Sequence, residues 1–449
     1  MTVPLPKLIS SDTAYSTRLE RYAENRRLYA GEHVQREQRN RRPRYRSPRN
    51  YIGLFADTIV AHMGAPHVSF GVGEPADTMD AYHAATLAAN DAEQMDYDAE
   101  VGATVTGDGV WKVTYDEGAH RPRVVAVDPA RVWAQPQPGD PHTPALIAEQ
   151  YQLAPDEFPA VFGPNLKPGT TRPALMTEAW TDDSWQIWEN NELRLDEPNP
   201  YGVNPYVLYP NIRTATPSLW GVGDPWRLRD LQDTLNQANE DLDAEMRLAG
   251  TIVVLEGVTD SSDIAVQPGS IWTLPEEAKA YLLDYFGSGG PAARLTYAAS
   301  VRRDMHALAR IPEDALGATE GLAAGNLSGI ALQVRLGPLI RLVARKRLYR
   351  SAALRRRAQL IAALGVQFDG LPALDPGTVP AVTWTEAVPS NRADELSNGE
   401  TELRLGRSRA AVLRSVGVED PGAELAARRA EAAALPSLEA TRGQSEPAA

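Results

Sequence analysis

The sequence contains no cysteine among its 449 residues, which excludes disulfides, thiolate nucleophiles and zinc sites built on thiolates. It also lacks any run of about 18 apolar residues and an apolar segment near its amino terminus, so we expect a soluble intracellular protein with no membrane partner. The seven histidines are scattered, and none forms an H-E-x-x-H or zinc-type pair. A G-x-x-x-x-G-K-[ST] phosphate loop is absent, which argues against an ATP-driven motor.

Acidic residues outnumber basic ones, with 59 Asp and Glu against 45 Lys and Arg and a formal net charge of −14. Neutralisation of phosphates normally supplies much of the affinity of a DNA-binding protein, so this balance disfavours a tight, sequence-reading DNA binder. It leaves open a surface or channel that DNA passes without adhering. The length suits two to four domains or one elongated subunit of several parts.

The most distinctive stretch is a long helical pattern that begins after Ser328 and ends before Gly365. Its apolar residues recur at helical spacing, and Ser328 or Asn326 is suited to cap its first turn. A helix of this length spans about 50 Å. Pro338, which follows Gly337, predicts a kink because proline removes one helical hydrogen bond. The residues before the helix are mostly small and predict a mobile loop.

A second helical pattern has clear boundaries, because Asp224 and Pro225 suit a helix start and Gly250 suits its end. Its apolar residues form a narrow stripe, which is typical of a helix packed on other helices. The other faces carry acidic residues, namely Asp230, Asp233, Glu240, Asp241, Asp243 and Glu245. Short strands are predicted at 251–255, 270–274 and 281–284, and another helix runs to Arg310. Two helices therefore flank a compact α+β insert.

The remaining segments mix helices and strands. Helical patterns are predicted at 14–31, 50–63, 76–103, 391–405, 408–416 and 421–434. Alternating apolar residues predict a β-hairpin over 110–127, a meander over 177–195, and short strands near Val68 and at 379–385. Trp180, Trp185 and Trp188 in the meander could stack on bases, but a tryptophan in an alternating strand is more often a core residue.

A basic segment lies between the first two helical patterns. Seven arginines fall between Arg36 and Arg49, and its central members are Arg41, Arg42, Arg44 and Arg46. One interpretation is contact with nucleic acid or an acidic partner, and the other is a solvated, irregular surface segment. The isolated run favours the second interpretation without excluding the first.

Candidates for catalysis are weak. Ser328 lacks the spacing of a nucleophile elbow and is better explained as a helix cap. Asp241, Asp243 and Glu245 could bind a divalent cation, but residues two apart on a helix do not share a face. An acidic helix surface that is merely solvated explains them as well. We therefore expect no cofactor, no metal and no catalytic residue.

The order of elements and several local strings resemble the portal proteins of tailed double-stranded DNA bacteriophages, particularly those of long-tailed siphophages. Asn326–Leu332 is similar to the Ser-Gly-x-Ala-Leu start of the family's tunnel helix. Asn199–Tyr206 is similar to its Asn-Pro-x-Gly-x-x-Pro turn out of the wing strands, and Tyr29–Gly31 and Asn50 add local support. The helix, insert and helix over 225–310 resemble its stem, clip and stem. The agreement in order spans nearly the whole chain and is the stronger argument.

The resemblance implies an α+β, elongated portal-type subunit with long stem helices, a kinked tunnel helix, a β-containing wing, a small α+β clip and a helical carboxy-terminal crown. The predicted division is a wing region at 1–224, a stem helix at 225–250, a clip at 251–291, a second stem helix at 292–312, a tunnel loop at 313–328, a kinked tunnel helix at 329–365, a wing return at 366–390, a crown at 391–434 and a disordered tail at 435–449.

The resemblance further implies a homo-oligomeric ring, usually of twelve subunits, at one capsid vertex of the virion, assembled in the host cytoplasm. Double-stranded DNA would pass through its channel without sequence specificity. The clip would meet the terminase and later head-completion or adaptor proteins, and the ring would contact major capsid or scaffolding protein. The residues expected at the channel loop are Thr319, Glu320, Gly321, Leu322, Ala323, Asn326 and Ser328. The acidic stem residues expected to face the channel are Asp233, Glu240, Asp241 and Asp243.

Two further expectations concern the tunnel region. The loop contains Glu320 and no basic residue, which argues against a gripping role for a loop cation. We expect the basic end of the tunnel helix, Arg345–Arg357, to pack away from the channel axis and to pair with acidic neighbours in the ring. The alternatives to a portal are a metal-dependent nuclease of the packaging apparatus, which would use Asp241, Asp243 and Glu245, and another minor structural head protein.

Overall fold

The structure is a computed structural model that describes residues 4–33, 48–163, 166–248, 253–257, 278–282, 290–316, 329–385, 392–416, 418 and 421–434. Its contacts divide the chain into two compact units. One unit contains Met1–Ala324 and Arg335–Ala387, and the other contains Gly325–Val334 and Val388–Ala449. Helices and strands are both abundant, so the predicted α+β class is confirmed.

The helices are α1 (Leu5–Ser11), α2 (Thr13–Tyr29), α3 (Tyr51–Ala61), α4 (Ala76–Ala89), α5 (Ala92–Thr106), α6 (Phe158–Phe162), α7 (Pro225–Leu248), α8 (Gly290–Ala309), α9 (Gly329–Phe368), α10 (Arg392–Arg404), α11 (Arg409–Ser415) and α12 (Pro421–Ala434). Two short 3-10 turns occupy Pro129–Arg131 and Glu313–Leu316. Asp12 begins α2 because its carboxylate accepts from the backbone N–H groups of Ala14 and Tyr15.

The strands are β1 (Pro66–Ser69), β2 (Asp108–Asp116), β3 (Arg121–Val127), β4 (Val132–Gln137), β5 (Asp140–Leu153), β6 (Ala174–Trp180), β7 (Ser184–Glu189), β8 (Glu192–Pro198), β9 (Tyr206–Pro210), β10 (Val253–Glu256), β11 (Lys279–Leu282) and β12 (Ala381–Trp384). They form sheets in the orders β3-β2-β9 and β4-β5-β6-β7-β8, and two-stranded ribbons β1-β12 and β10-β11. Every described pairing is antiparallel.

The predicted hairpin and meander are confirmed. Strands β2 and β3 pair with Val110 opposite Val127, and β6, β7 and β8 follow one another as antiparallel neighbours. Trp180 is buried and stacks on Trp185 with ring centroids 5.0 Å apart, as the core interpretation of that tryptophan requires. The strand predicted at 379–385 is β12, which pairs with β1 across more than 300 positions of sequence.

The helix predicted over 76–103 is wrong as a single element, because α4 and α5 are separate. Asp91 adopts a left-handed backbone with φ of 47°, which ends the first helix. Asn90 holds this break, since its side-chain amide donates to the carbonyls of Thr86 and Pro122 and its oxygen accepts from the N–H of Val124. Two of these partners lie in β3, so the break depends on tertiary contacts.

Gly365 does not end the long helix, which continues to Phe368. A Cβ atom at Gly365 would lie 2.7 Å from Cε1 of Tyr82 and 2.8 Å from Cδ1 of Leu371. The glycine therefore allows α4 and the chain after α9 to approach the helix closely. The helix also continues through Pro338, and the kink expected there stays a prediction.

Helix α9 contributes to two apolar cores of the first unit. Leu339, Leu342 and Val343 pack with residues of α3, α7 and α8. Farther along, Leu354 and Ile361 pack with residues of α4, β2 and β9. The second unit has a smaller interior, in which Val412 of α11 and Val416, directly after that helix, are buried near Gly399 of α10. The strand predicted at 270–274 lies outside the described residues.

Candidate functional site

Helices α7 and α8 form a hairpin over the two segments predicted to be stem helices, and their role as a stem stays a prediction. Asp241 of α7 lies 3.6 Å from a guanidinium nitrogen of Arg294 near the start of α8, and Leu228 near the start of α7 lies beside Leu308 near the end of α8. The two helices are therefore antiparallel. Leu228 and Leu235 are buried, which confirms the core-facing part of the apolar stripe.

The four acidic residues expected to face a channel, Asp233, Glu240, Asp241 and Asp243, are all half-buried. Asp241 accepts a hydrogen bond of 2.8 Å from the side-chain amide of Gln237 in addition to its contact with Arg294. Within the parts of the chain that the structure describes, no group of three or more His, Asp or Glu side chains is placed to hold a metal ion. The assignment of these four residues to a channel stays a prediction.

The hairpin leaves several large apolar side chains in contact with solvent. The exposed residues are Trp226, Met246, Leu295, Tyr297 and Leu308. Scattered exposed apolar residues are normal on a monomer, but five on two neighbouring helices suit a surface that another protein chain covers.

Three cations of α9 are fully buried on one helix face. Lys346, Arg350 and Arg357 have relative exposures of 0%, 2% and 1%. Separations of four and eleven residues place them on the same side of the helix. Buried cations need anionic partners and hydrogen bonds, because burial without them is strongly unfavourable.

These partners come mainly from α5, which lies antiparallel to this part of α9. Arg357 donates to both oxygens of Asp96, at 2.5 and 2.7 Å, and Arg350 donates to both oxygens of Glu100 at the same two distances. Asp96 and Glu100 are one turn apart, so the two helices align their charges in register. The basic end of α9 was expected to pair with acidic residues of neighbouring subunits, and this expectation is wrong for Arg350 and Arg357, whose partners lie in the same chain.

Lys346 completes this charge ladder, defined as Lys346, Arg350 and Arg357 with their acidic partners. Its ammonium group lies 2.5 Å from Asp224, the residue before α7, and donates to the hydroxyl of Thr104 at 3.3 Å. The ladder thus ties the start of the α7 and α8 hairpin to α9 and α5. Burial alone would lower the pKa of Arg350, but Glu100 raises it above its ordinary value.

Other arginines of α9 lie on the outside. Arg341, Arg345 and Arg356 are exposed, and none forms an ion pair with another described residue. Arg341 donates to the carbonyl of Gly337 and Arg345 to the carbonyl of Arg213. The outer side of α9 is therefore positive, although the whole chain is acidic.

A second buried charge cluster joins the two larger sheets. Lys112 of β2 donates to Glu178 of β6 at 2.8 Å and to Glu149 of β5 at 3.5 Å, and Tyr206 of β9 donates to Glu149 at 2.7 Å. Burial would lower the pKa of Lys112, but these two carboxylates raise it. Burial would raise the pKa of Glu178, but Lys112 and hydrogen bonds lower it. This cluster could not be predicted from the sequence, because its members come from four strands whose pairing is not visible in local patterns.

Several expected site residues lie outside the described residues. These are the loop residues Thr319, Glu320, Gly321, Leu322, Ala323, Asn326 and Ser328, and the basic residues Arg41, Arg42, Arg44 and Arg46. Gly337 and Pro338, expected at the kink, lie within α9, where Pro338 is exposed. In the described part of the chain, no helix is long and apolar enough to cross a membrane.

The hairpin of α7 and α8 follows the mixed helix and strand region of residues 4–224 and precedes the 40-residue helix α9, and the comparison of sequences shows which class of protein has this chain. The profile described as "Phage portal protein, SPP1 Gp6-like" matches residues 10–435, so the chain belongs to this family. The family is structural and not enzymatic.

Similarity to individual proteins is low. No curated protein matches the chain. Among solved structures, one described as "Virion of native gene transfer agent (GTA) particle" is similar at 12% sequence identity with a TM-score of 0.48. The match covers 88% of this chain and 93% of that chain.

Proposed function

We propose that this chain is the repeating subunit of a homo-oligomeric ring at one capsid vertex, through whose channel double-stranded DNA is packaged and later ejected. The observation that carries the proposal is the family match over residues 10–435, which leaves only short segments outside it. The exposed apolar residues of the α7 and α8 hairpin support it, because a ring would cover them with adjacent subunits.

In this proposal each part of the chain has one task. Helices α7 and α8 form the stem, and the β10-β11 ribbon between them belongs to the clip that meets the terminase and later the head-completion or adaptor proteins. Helix α9 is the tunnel helix, residues 313–328 form the loop at the channel, and α10 to α12 form the crown. Major capsid or scaffolding protein holds the ring at the vertex of the virion after assembly in the host cytoplasm.

The charge of the chain fits passage of DNA without adhesion. Asp233, Glu240, Asp241 and Asp243 on α7 would give a negative channel wall that repels phosphates and lowers friction. The charge ladder would hold α9 rigidly at its middle, so that motion of its amino-terminal end and the loop does not disturb the wing. Nothing in this arrangement requires a cofactor or a catalytic group.

The first test is the size of the assembly. With a mass of 48.9 kDa for one chain, a ring of about twelve copies has a mass of roughly 0.6 MDa. Native mass spectrometry and negative-stain imaging should show rings with a central opening over a range of salt concentrations. A protein that stays monomeric at all concentrations and salts would overturn the proposal.

The second test addresses the loop. Replacing Gly321 and Gly325 by proline removes backbone conformations with positive φ that glycine permits. Rings should still assemble, while packaging or retention of DNA in a phage assembly assay should fall. Alanine at the same two positions is the milder control, and unchanged packaging in the proline variant would show that loop mobility is not needed.

A further inference from the structure

An apolar hollow opens on the first unit where α3, α7, α8 and α9 meet. Its floor consists of Phe55, Ile59, Leu228 and Leu342, and the space, with the open mouth included, is about 440 Å³. Leu308 at the edge has 58% of its surface exposed. The space inside that is open to the centres of water-sized atoms is only about 30 Å³, so a partner's side chain would pack across the mouth against Leu308 and would not enter deeply.

The rim of this hollow is positive. Arg227 and Arg310 line it, both are exposed, and neither side chain forms an ion pair or hydrogen bond with another described residue. Arg345 lies close by, since it donates to the carbonyl of Arg213, next to the lining residue Ile212. Asp224 also lines the hollow, but its carboxylate is neutralised by Lys346. The arginine-rimmed hollow therefore suits an apolar side chain flanked by carboxylates.

The backbone conformation of Arg310, at the rim of the hollow, is unusual. It has φ of 61°, in the left-handed region that an arginine adopts at a cost of about 1 kcal/mol relative to glycine. This conformation ends α8 and directs the chain back through Ile311, whose N–H donates to the carbonyl of His306. Strained residues of this kind are often found at functional surfaces.

A complementary surface is present elsewhere on the same unit. Tyr97 of α5 is 53% exposed and has Glu93 one turn before it and Asp98 directly after it, both exposed. Neither carboxylate forms an ion pair with another described residue. Asp57 of α3 is a further exposed carboxylate, and it accepts a hydrogen bond of 2.8 Å from the hydroxyl of Tyr29. The acidic face is thus a tyrosine surrounded by carboxylates.

The hollow and the exposed Asp57 lie on different sides of α3. Ile52 and Ala56 line the hollow, whereas Leu54 between them is exposed and lies about 160° away around the helix. Asp57 follows on that outer side. A heterologous interface joins two different surfaces of identical chains, and such contacts close into a ring when the rotation is right.

We infer that the arginine-rimmed hollow binds the acidic face of the adjacent copy of this chain, with Tyr97 packed against Leu308 at the mouth and with Glu93 and Asp98 against Arg227 and Arg310. This rests on the proposed ring and names its interface. Tyrosine anchors and arginines are typical of the residues that dominate binding energy in such contacts. The apolar floor favours a protein occupant over DNA, because phosphate contacts need cations but no apolar hollow.

Charge reversal tests the pairing. One variant carries Arg227→Glu with Arg310→Glu, a second carries Glu93→Arg with Asp98→Arg, and a third carries all four changes. Each double variant should raise the protein concentration at which half of the chains are in rings by about tenfold or more, because like charges then meet at every interface. The quadruple variant should return towards the wild-type value, since opposite charges meet again.

Two single reversals are matched controls. Arg303→Glu changes an exposed arginine of α8 that does not line the hollow, and Glu117→Arg changes an exposed glutamate in the β2-β3 turn. Both should assemble like the wild type. Circular dichroism of each variant confirms that the exposed substitutions leave the subunit folded, and Tyr97→Ala should weaken assembly without any change of charge.

The possible outcomes separate this inference from the proposed function. Rings that form equally well in both double variants would overturn the inference and leave the ring intact. Disruption without rescue in the quadruple variant would also overturn it, because the hollow then meets a different surface. Intact rings that retain less of a short DNA duplex would assign the hollow to DNA. A wild-type chain that never forms rings would overturn both proposals.

Discussion

The charge ladder makes a quantitative prediction for Arg350. Replacement by methionine keeps most of the side-chain volume and removes the guanidinium group. Four acceptors then lose their donor: both oxygens of Glu100, the carbonyl of Pro210 at 2.7 Å and the side-chain oxygen of Asn211 at 3.3 Å. The stacking of the guanidinium over the ring of Tyr209, at 4.7 Å, is lost as well.

The cost follows from the burial of this pair. Arg350 is 2% exposed and the side chain of Glu100 is 12% exposed, so water replaces few of the lost bonds. Removing one member of a buried pair typically costs 3–5 kcal/mol, and we expect Arg350→Met to lower the free energy of unfolding by about 4 kcal/mol. The double variant Arg350→Met with Glu100→Met leaves no unpaired charge and should lose only about 2 kcal/mol.

Urea unfolding followed by circular dichroism, at a protein concentration too low for rings, measures these differences. Arg356→Met is the matched control, because Arg356 lies on the exposed side of the same helix and should change stability by less than about 0.5 kcal/mol. If Arg350→Met is no more harmful than the control, or if the double variant is the least stable, the reasoning about the ladder is wrong.

Two further predictions concern pH and backbone geometry. Burial, followed by the charge of Arg357, lowers the pKa of His83 to about 4, so the folded chain binds fewer protons than the unfolded chain between about pH 4 and 6.5. The free energy of unfolding should therefore fall by about 3 kcal/mol through His83 as the pH drops through this window. In His83→Gln, the urea midpoint should decline less over the same pH range. If the urea midpoint of His83→Gln depends on pH as steeply as that of the wild type, His83 is not the group responsible. Gly107 has φ of 114° and a Cβ there would lie 2.6 Å from the backbone nitrogen of Gly223, so Gly107→Ala should destabilise the chain by more than about 2 kcal/mol. Gly102→Ala, a helical position with open space around it, should be neutral or slightly stabilising in the same urea assay.

Local sequence patterns correctly predicted those helices and strands whose boundaries depend on residues adjacent in the sequence. The helix over 225–248 begins at the predicted proline, because Asp224 and Pro225 suit a helix start whatever packs against it. The β2-β3 hairpin follows from its alternation of apolar residues. The break between α4 and α5 was not predicted, because it depends on the hydrogen bonds of Asn90 with β3. The predicted helix end at Gly365 was wrong, because that glycine makes room for Tyr82, which is far away in sequence.

The family and the order of parts could be recognised from the sequence, since a motif such as Asn326–Leu332 and the succession of helix, insert, helix and long helix are properties of the chain itself. The partners of the charged side chains were decided only by tertiary structure. In the sequence, the arginines of α9 recur along one stretch from Arg335 to Arg357, with no sign of which ones face the interior. Folding divides them into a buried face that neutralises Asp96 and Glu100 and an exposed face that remains positive. That division depends on which side of the helix meets α5, and only the packing of two segments more than 240 residues apart determines it.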